Sequence, residues 1–449
     1  MSENKSTTTT SRREFLRNSA ATVAAGAVTA TVMPTTAEGM RRVLGANERI
    51  QIAHVGVGGQ GMAHIRLLKE NSTQGLKNNT ESIAVCDLYV RRKKGAQAYL
   101  QLKDNQAFDD YRKLLDSPLA RDIDAVWIAT SDNWHAPIAR DSMLAGKHVY
   151  IEKPMCKTVE EAFELLDTAK RTKRIVQVGS QGCSDLKWHA AGKLVKEGRI
   201  GKAVLAQGSY CRNSRIGEWN YYHIDPDAGP QAKGDGYVDW ETFRRGVGPA
   251  EWDPHRFFRW RKYYAYGNGI VGDLFPHRLH PLMIAMALPQ DGTNGYPMRV
   301  SSNGGIYGIQ KREDAPDKPD REVPDLTTLV VDFEGGPTIM LLGSTVNEQG
   351  LQDMIRGTKG TIYFGGNTVE IKPERVWAEE VEEHSEQAGD GERIETHQKN
   401  FLDCIRNGGV PNCNIELATR VQVMISLGDL AYQKGKTYHF DPKTRKYWA

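Results

Sequence analysis

The first part of the chain alternates short apolar runs with segments of helical period. The apolar runs lie at residues 49–57, 82–88, 124–130, 148–154 and 175–181. Segments with apolar positions every three or four residues lie at 61–70, 133–146 and 158–172. The last of these has Thr158 as a candidate N-cap and Glu161 at the capping-box position. Apolar strands that alternate with helices predict parallel βαβ units, and therefore an α/β protein with a doubly wound parallel sheet.

A glycine-rich turn follows the first predicted strand directly and opens the first predicted helix. Its sequence, GVGGQG, matches the pattern GxGxxG. In this context the glycines let the backbone approach a pyrophosphate, which binds at the helix N-terminus. The cofactor contacts predicted from the turn are Gly56, Gly58, Gly59, Gln60, Gly61 and Met62.

The second predicted strand ends at Asp87. A carboxylate at this position can accept hydrogen bonds from the adenosine ribose and would repel a 2′-phosphate. Arg91 and Arg92 could hold such a phosphate, but the charged run RRKKG is more typical of solvated helix residues. NAD is therefore the predicted cofactor, and NADP is the less favoured alternative.

The next two strand ends resemble a known family. The segment IATSDNWHAPIARDSMLAGKHV, followed by YIEKPMCKT, is similar to the Gfo/Idh/MocA family of sugar and polyol oxidoreductases. Where that family has A-T-P-N, this chain has Ser131 and Asp132 in place of the usual proline, followed by Asn133 and His135. Segments 197–206, 356–364 and 397–427 resemble later parts of the family, so the similarity extends over residues 49–441.

The resemblance implies two domains. We expect an NAD-binding Rossmann domain at 48–180 and a C-terminal substrate and oligomerisation domain at 181–449. The second would be an α/β domain with a large, open, mostly antiparallel sheet. A homo-oligomer, dimer or tetramer, is expected.

Lys153 lies at the carboxyl end of a predicted strand, where open α/β sheets bind their ligands. A lysine there can hydrogen-bond the nicotinamide ribose and a substrate hydroxyl, and can stabilise a developing alkoxide. The resemblance implies this role, with a cis bond to Pro154. It also implies cofactor contacts from Thr130, Asn133, His135, Glu152 and Lys153.

A second candidate constellation is Asp273 and His277 in YGNGIVGDLFPHRLHPL. Residues four apart share one face of a helix, and an imidazole that titrates near neutrality suits acid–base work. The resemblance makes His277 the catalytic base and Asp273 its assistant. Asp273 could also be an N-cap, with Pro276 in the first turn of the helix.

His280 stands where the family often has an acid. A metal site of Asp273, His277 and His280 is therefore a further alternative, although no third-ligand motif accompanies the H-x-x-H spacing and no metal is predicted.

The stretch at 240–269 is dense in Trp, Tyr and Arg. Such side chains suit sugar rings and hydroxyls, but they suit packing or a subunit interface equally well. The substrate-site candidates in and near it are Tyr221, Tyr222, Tyr263 and Tyr264.

Composition excludes several classes of protein. The net charge is +3, acids and bases are interspersed, and no basic block indicates nucleic-acid binding. The six cysteines form no CxxC pair, so neither a zinc ribbon nor a redox motif is indicated. A hydrophobic fraction of 39% is ordinary for a globular enzyme.

The N-terminus resembles a twin-arginine export signal. Arg12 and Arg13 precede an apolar stretch from Ala20 to Met33, and Ala37 ends a small-residue cleavage pattern. We therefore expect residues 1–37 to be removed and the protein to be periplasmic or secreted. The apolar stretch is too short to span a bilayer, so no membrane span is expected afterwards.

Three hypotheses follow for function. The first is an enzyme that transfers hydride between NAD and a C–OH carbon of a sugar, polyol or glycoside. Because an exported enzyme meets no NAD pool, a redox-neutral cycle with retained NAD is expected, and NAD-dependent glycoside cleavage by transient oxidation and elimination is one form of it. The others are a non-catalytic sugar or NAD-binding protein and a metal hydrolase. The expected partner is a small carbohydrate.

Overall fold

The computed structural model describes residues 49–309 and 311–449. The strands are β1 (Ile50–Val55), β2 (Thr80–Cys86), β3 (Ala107–Phe108), β4 (Ala125–Ile128), β5 (His148–Ile151), β6 (Val176–Val178), β7 (Ala203–Cys211), β8 (Arg299–Gly305), β9 (Leu326–Asp332), β10 (Thr338–Ser344), β11 (Met354–Gly357), β12 (Gly360–Phe364), β13 (Thr368–Pro373), β14 (His384–Gln387), β15 (Tyr438–Asp441) and β16 (Lys446–Trp448).

The helices are α1 (Gly59–Thr73), α2 (Val90–Leu100), α3 (Tyr111–Asp116), α4 (Asp132–Leu144), α5 (Val159–Thr172), α6 (Leu186–Lys196), α7 (Trp240–Arg244), α8 (Pro254–Phe258), α9 (Gly269–Asp273), α10 (Pro276–Ala285), α11 (Ile394–Asn407) and α12 (Ile415–Lys434). Among the described residues, no helix combines the length and the apolar character needed to cross a bilayer.

The first six strands form a parallel sheet in the order β3-β2-β1-β4-β5-β6. The order reverses between β1 and β4, and open α/β sheets bind ligands at such a switch point. The predicted doubly wound sheet is therefore confirmed. Thr158 caps α5 as predicted, its side chain accepting from the Glu161 N–H.

The other ten strands form a second sheet in the order β14-β13-β12-β11-β7-β10-β9-β8-β15-β16. Only the β7–β10 pair is parallel, and the remaining pairs are antiparallel. This confirms the large, mostly antiparallel sheet that the resemblance implied.

The two C-terminal helices, α11 and α12, pack against the first domain, and α12 also packs against the second sheet. α12 packs against both α5 and β8, so it lies between the first domain and the second sheet. Phe401 and Leu402 of α11 are fully buried against Trp127 and Tyr150 of the parallel sheet, and the latter two rings stack 4.9 Å apart. Residues that end or follow β1, β2, β4 and β5 line a common cleft with residues of the second domain.

Candidate active site

One cleft runs along the carboxyl ends of the parallel strands and continues between the two sheets. It brings together predicted cofactor and catalytic residues from five separate parts of the chain: Gly56, Gly58, Gly59, Gln60, Asp87, Thr130, His135, Glu152, Lys153, Asp273 and His277.

Three predicted cofactor residues do not line this cleft. Gly61 is buried in the first turn of α1, and Met62 packs beside the small core formed by Val57 and Ile65. Asn133 is buried, its amide donating to the Phe243 carbonyl at 3.4 Å. These three residues are engaged in packing or hydrogen bonding outside the lining of the cleft.

The glycine turn fits a pyrophosphate. Gly58 is the N-cap of the 15-residue helix α1 and makes no side-chain cap, and a Cβ placed on Gly59 would meet nothing within 4 Å. A Cβ on Gly56 would lie 2.6 Å from the Ala129 carbonyl oxygen, and Gly56 has a φ of +83°. The turn therefore lies close to the β4 loop and leaves open space at a helix N-terminus, where an anion is stabilised.

Asp87 is held rigidly at the end of β2. One carboxylate oxygen accepts from the Val57 N–H at 2.8 Å and the other from the Tyr89 N–H at 2.9 Å. The carboxylate therefore stands beside the glycine turn with lone pairs available, which is where a dinucleotide places its adenosine ribose.

Lys153 and Asp273 form an ion pair in the centre of the cleft. The Lys153 Nζ donates to Asp273 Oδ1 at 2.9 Å and to the Asp273 carbonyl at 2.6 Å. The Lys153–Pro154 peptide bond is cis. The ammonium group is thus fixed by the second domain, where it can reach a substrate hydroxyl.

The expectation that Asp273 shares a helix with His277 is wrong. Asp273 is the last residue of α9, and α10 begins afresh at Pro276, because a proline cannot donate to the preceding turn. The N-cap of α10 is Phe275, so Asp273 is not the cap either. Both side chains nevertheless line the cleft.

Asp273 has more hydrogen-bond and ion-pair partners than the sequence indicated. Arg261 Nε donates to Oδ1 at 3.1 Å, Trp219 Nε1 donates to Oδ2 at 3.2 Å, and an Arg212 guanidinium nitrogen lies 3.6 Å from Oδ2. Burial alone would raise the pKa of Asp273, but Lys153 and then Arg261 outweigh it and hold that pKa well below its usual range. The carboxylate is therefore ionised at physiological pH.

His277 is buried beside this pair. Burial and then the charge of Lys153 lower the pKa of His277 to about 3. Its ring stacks on Tyr210 with 5.0 Å between centroids, and Nδ1 has no hydrogen-bond partner among the described residues. The imidazole is therefore neutral at physiological pH, and the near-neutral titration expected from the sequence is wrong for this buried ring. Its unpartnered Nδ1 can accept a hydrogen bond from a hydroxyl.

His280 does not face the cleft. It is 1% exposed, and its Nδ1 lies 3.0 Å from the Pro276 carbonyl oxygen one turn earlier. In the part of the chain that the structure describes, no three His, Cys, Asp or Glu side chains converge as metal ligands would.

Glu152 is oriented by a chain of buried polar groups. His64 Nε2 lies 2.7 Å from Oε1, Gln60 donates to the same oxygen at 3.1 Å, and Gln398 of α11 lies 2.8 Å from His64 Nδ1. Burial would raise the pKa of Glu152, but the hydrogen bond from His64 brings it down to about 2. Neither His64 nor Gln398 was predicted, because no local pattern links them to the strand end.

Asp132 is a further titratable group in the cleft. It is 4% exposed at the start of α4, and burial raises its pKa to about 7 despite the nearby charge of Arg261. Asp132 was noted only as a departure from the family, not as a site residue.

The four candidate tyrosines divide into two pairs. Tyr221 and Tyr222 line the cleft with Trp260. Tyr263 is buried, its hydroxyl 2.6 Å from His255 Nδ1, and Tyr264 packs against the main core. The candidate tyrosines are thus divided between the lining of the cleft and the protein core.

Family models match most of the chain. The oxidoreductase-family model GFO_IDH_MocA, an NAD-binding Rossmann fold, matches residues 50–180. Its companion, the C-terminal α/β domain model GFO_IDH_MocA_C2, matches residues 193–449.

Among curated proteins, the chain is 27% identical over 380 residues to the "Glycosyl hydrolase family 109 protein 2" of a Shewanella species, covering 79% of this chain and 74% of that protein. It is 26% identical over 396 residues to an "Alpha-N-acetylgalactosaminidase" of Shewanella oneidensis, covering 80% and 75%.

Solved structures share the fold. A levoglucosan dehydrogenase in complex with NADH superposes with a TM-score of 0.63 at 18% identity, covering 87% of this chain and 98% of that one. An inositol dehydrogenase homologue from Azotobacter vinelandii, complexed with NADH and myo-inositol, gives 0.59 at 17% identity and covers 86% and 96%.

Proposed function

The chain belongs to the Gfo/Idh/MocA family of NAD-binding oxidoreductases, and from this premise we propose that it cleaves glycosides in a redox-neutral cycle with NAD kept bound. The observation that carries the proposal is the Lys153–Asp273 pair with His277, placed in the same cleft as the glycine turn and Asp87. The two glycoside-cleaving relatives support a glycoside as the substrate class.

The residues of the cleft suit the first step, oxidation of a ring hydroxyl. NAD, when bound, supplies the acceptor and later the donor of hydride. The neutral His277 takes the hydroxyl proton, and Lys153 stabilises the negative charge that develops on the oxygen. Asp273 holds Lys153 in place through the 2.9 Å contact.

The ketone formed in this way acidifies the neighbouring C–H. Loss of that proton expels the glycosidic oxygen, which leaves as an alcohol after protonation. Water then adds across the double bond, and hydride and proton return to the ketone. Atoms and electrons balance, and the net reaction is hydrolysis with no external oxidant.

Product analysis tests this proposal. Purified protein, with no cofactor added, is incubated with a panel of glycosides and free sugars in deuterated water. Hydrolysis should place solvent deuterium on the carbon next to the oxidised one. Oxidation of free sugars with stoichiometric NADH, and no deuterium in the product, would instead identify an ordinary dehydrogenase.

We also propose that the protein is exported folded and already loaded with NAD. The supporting motif, Arg12 and Arg13 with the cleavage pattern at Ala37, lies outside the described residues. Changing both arginines to lysine should leave folded, NAD-loaded protein in the cytoplasm. Unchanged periplasmic yield of this variant would contradict the proposed route.

A dimer or tetramer is the proposed assembly. In β9 and β10, buried residues alternate with half-buried ones, so one face of the large sheet remains partly accessible. Sedimentation that gives only a monomer would contradict it.

A further inference from the structure

A long connection between β7 and α9 crosses the cofactor cleft. We call residues 225–266 the strap. It belongs to the second domain, yet it touches the first domain on both sides of the cleft, and its residues line the cleft itself: Thr242, Phe243, Phe257, Phe258, Trp260 and Arg261.

On one side the strap forms hydrogen bonds and an ion pair with the turn between β2 and α2. The Tyr89 hydroxyl donates to Asp225, and Arg91 forms an ion pair with the same carboxylate. Backbone hydrogen bonds run beside these contacts, from Val90 N–H to the Tyr237 carbonyl at 3.1 Å and from Asp239 N–H to the Leu88 carbonyl at 3.0 Å. This turn directly follows Asp87, the predicted ribose ligand.

On the other side the strap forms hydrogen bonds with the start of α4. Trp134 Nε1 donates to the Phe243 carbonyl at 3.0 Å, and Arg245 donates to the Asn133 carbonyl at 2.6 Å. The Asn133 N–H donates to the Tyr266 carbonyl at 3.2 Å. Asn133, which the sequence assigned to the cofactor, is thus an anchor for the strap.

Between the two attachments the strap places a cluster of aromatic rings beside the glycine turn. Phe257 and Phe258 pack edge-on against Tyr89, with centroids 6.0 and 5.9 Å apart. The Arg92 guanidinium lies 5.3 and 5.4 Å from the centroids of the same two phenylalanines. A Cβ on Gly58 would be 3.5 Å from Arg92 Nη1, so this cation also reaches the turn.

We propose that the strap completes the NAD site by covering its adenosine half. Phe258 and Arg92 line the cleft together with Asp87, and an apolar face, a cation and a carboxylate suit an adenine base and its ribose. Because the strap is attached on both sides, NAD leaves only when one of the attachments opens. The inference rests on the proposed retention of NAD and names the part of the chain responsible for it.

Of the two arginines after β2, only Arg92 departs from the solvated position that the charged run suggested, since the Arg91 side chain is 47% exposed. Arg91 pairs with Asp225, and Arg92 packs among aromatic rings instead of lying in solvent. Both therefore belong to the closure of the cleft.

The experiment measures how fast bound NADH leaves the full-length protein. NADH-loaded protein is mixed with a large excess of NAD, and the fall in bound-NADH fluorescence gives the dissociation rate. The variants are Asp225→Ala, which removes the shared acceptor of Tyr89 and Arg91, and Asp225→Asn, which keeps its shape. The control is Asp167→Ala, which breaks an exposed ion pair with Arg445 that includes no residue of the strap.

Asp225→Ala should release NADH about tenfold faster than the wild type, as expected for loss of hydrogen bonds to a charged group. Asp225→Asn should fall between the two, and Asp167→Ala should match the wild type. Equal rates for Asp225→Ala and Asp167→Ala, in proteins with unchanged circular dichroism, would overturn the proposal.

Phe258→Leu provides an independent test, because it shortens the cover without breaking an attachment. It should also accelerate release, and an unchanged rate would overturn the assignment of Phe258 to the adenine. Product analysis with the wild type reports on glycoside cleavage separately, so either proposal can fail while the other stands.

Discussion

Replacing Lys153 by Met and Asp273 by Asn, singly and together, probes the ion pair at the centre of the cleft. The 2.9 Å separation of Nζ and Oδ1 corresponds to an attraction of about 6 kcal/mol at an effective dielectric constant of ~20. The two side chains are only 12% and 11% exposed, so desolvation offsets much of this attraction. A net coupling of about 2–3 kcal/mol between the two positions is therefore expected.

The two single variants should differ. Lys153→Met leaves Asp273 paired with Arg261 at 3.1 Å, whereas Asp273→Asn leaves two cations buried without their shared carboxylate. Asp273→Asn should therefore be the less stable protein, by about 1–2 kcal/mol. The double variant should be less destabilised than the sum of the two single changes.

Turnover should show the same coupling. Each single variant should lose about 10²–10⁴ in turnover, as is usual when an acid–base or alkoxide-stabilising group is lost. The double variant should lose little more, because the two residues act as a unit.

The assay combines urea unfolding with initial rates on the best glycoside of the panel. The control cycle uses the exposed Lys399–Asp403 pair, 2.6 Å apart on α11, for which coupling below about 1 kcal/mol and no loss of turnover are expected. If the effects of the two substitutions on stability and on turnover were strictly additive, Lys153 and Asp273 would not act as a coupled pair.

Three further changes are predicted together. Asp87→Ala should weaken NAD binding and reduce discrimination against NADP, and calorimetry showing tighter wild-type binding of NADP would contradict this. His277→Ala should lower turnover by about 10²–10⁴ while the fold persists, and near wild-type rates would exclude it as the base. Between pH 3.8 and about 7, folded Asp132 keeps a proton that the unfolded chain releases, so its contribution to stability falls as the pH rises. Asp132→Asn should remove that part of the slope in pH-dependent unfolding; an unchanged slope would contradict the raised pKa.

The parts of the fold that the sequence predicted are those with local signals. The glycine turn, Asp87 and Lys153 each sit at the end of an apolar run, and parallel strands bring their carboxyl ends to one edge. Their convergence could therefore be expected before the structure was known. The second sheet came only from the resemblance, because no motif in the sequence indicates the order in which its strands pair, with β7 between β10 and β11.

The site residues that the sequence did not predict contact Asp273 from distant positions in the chain. Asp273 is contacted from three separate parts of the chain, by Trp219, Arg212 and Arg261. Neither residue spacing nor hydrophobic period connects these three positions. Tyr210 near the end of β7 and Arg212 just after the strand both line the cleft, with the Arg212 guanidinium 5.9 Å from the Tyr210 ring centroid. Nothing in the strand sequence indicates that these residues meet His277.

The helical spacing of Asp273 and His277 predicted correctly that both side chains lie in one site, but the reason, a shared helix, was wrong. Pro276 separates α9 from α10, and the two side chains meet because both helices border the cleft. A proline three residues after a candidate acid is a signal for such a break.

The most direct test of the account counts product against bound cofactor. Protein purified from the periplasm is assayed for NAD(H) after acid release, and is then given glycoside with no cofactor added. If NAD is retained and recycled, bound NAD(H) should be close to one per chain, many product molecules should form per chain, and no free NADH should appear. Protein without cofactor, or product that stops at one per bound NAD while NADH accumulates, would contradict this expectation.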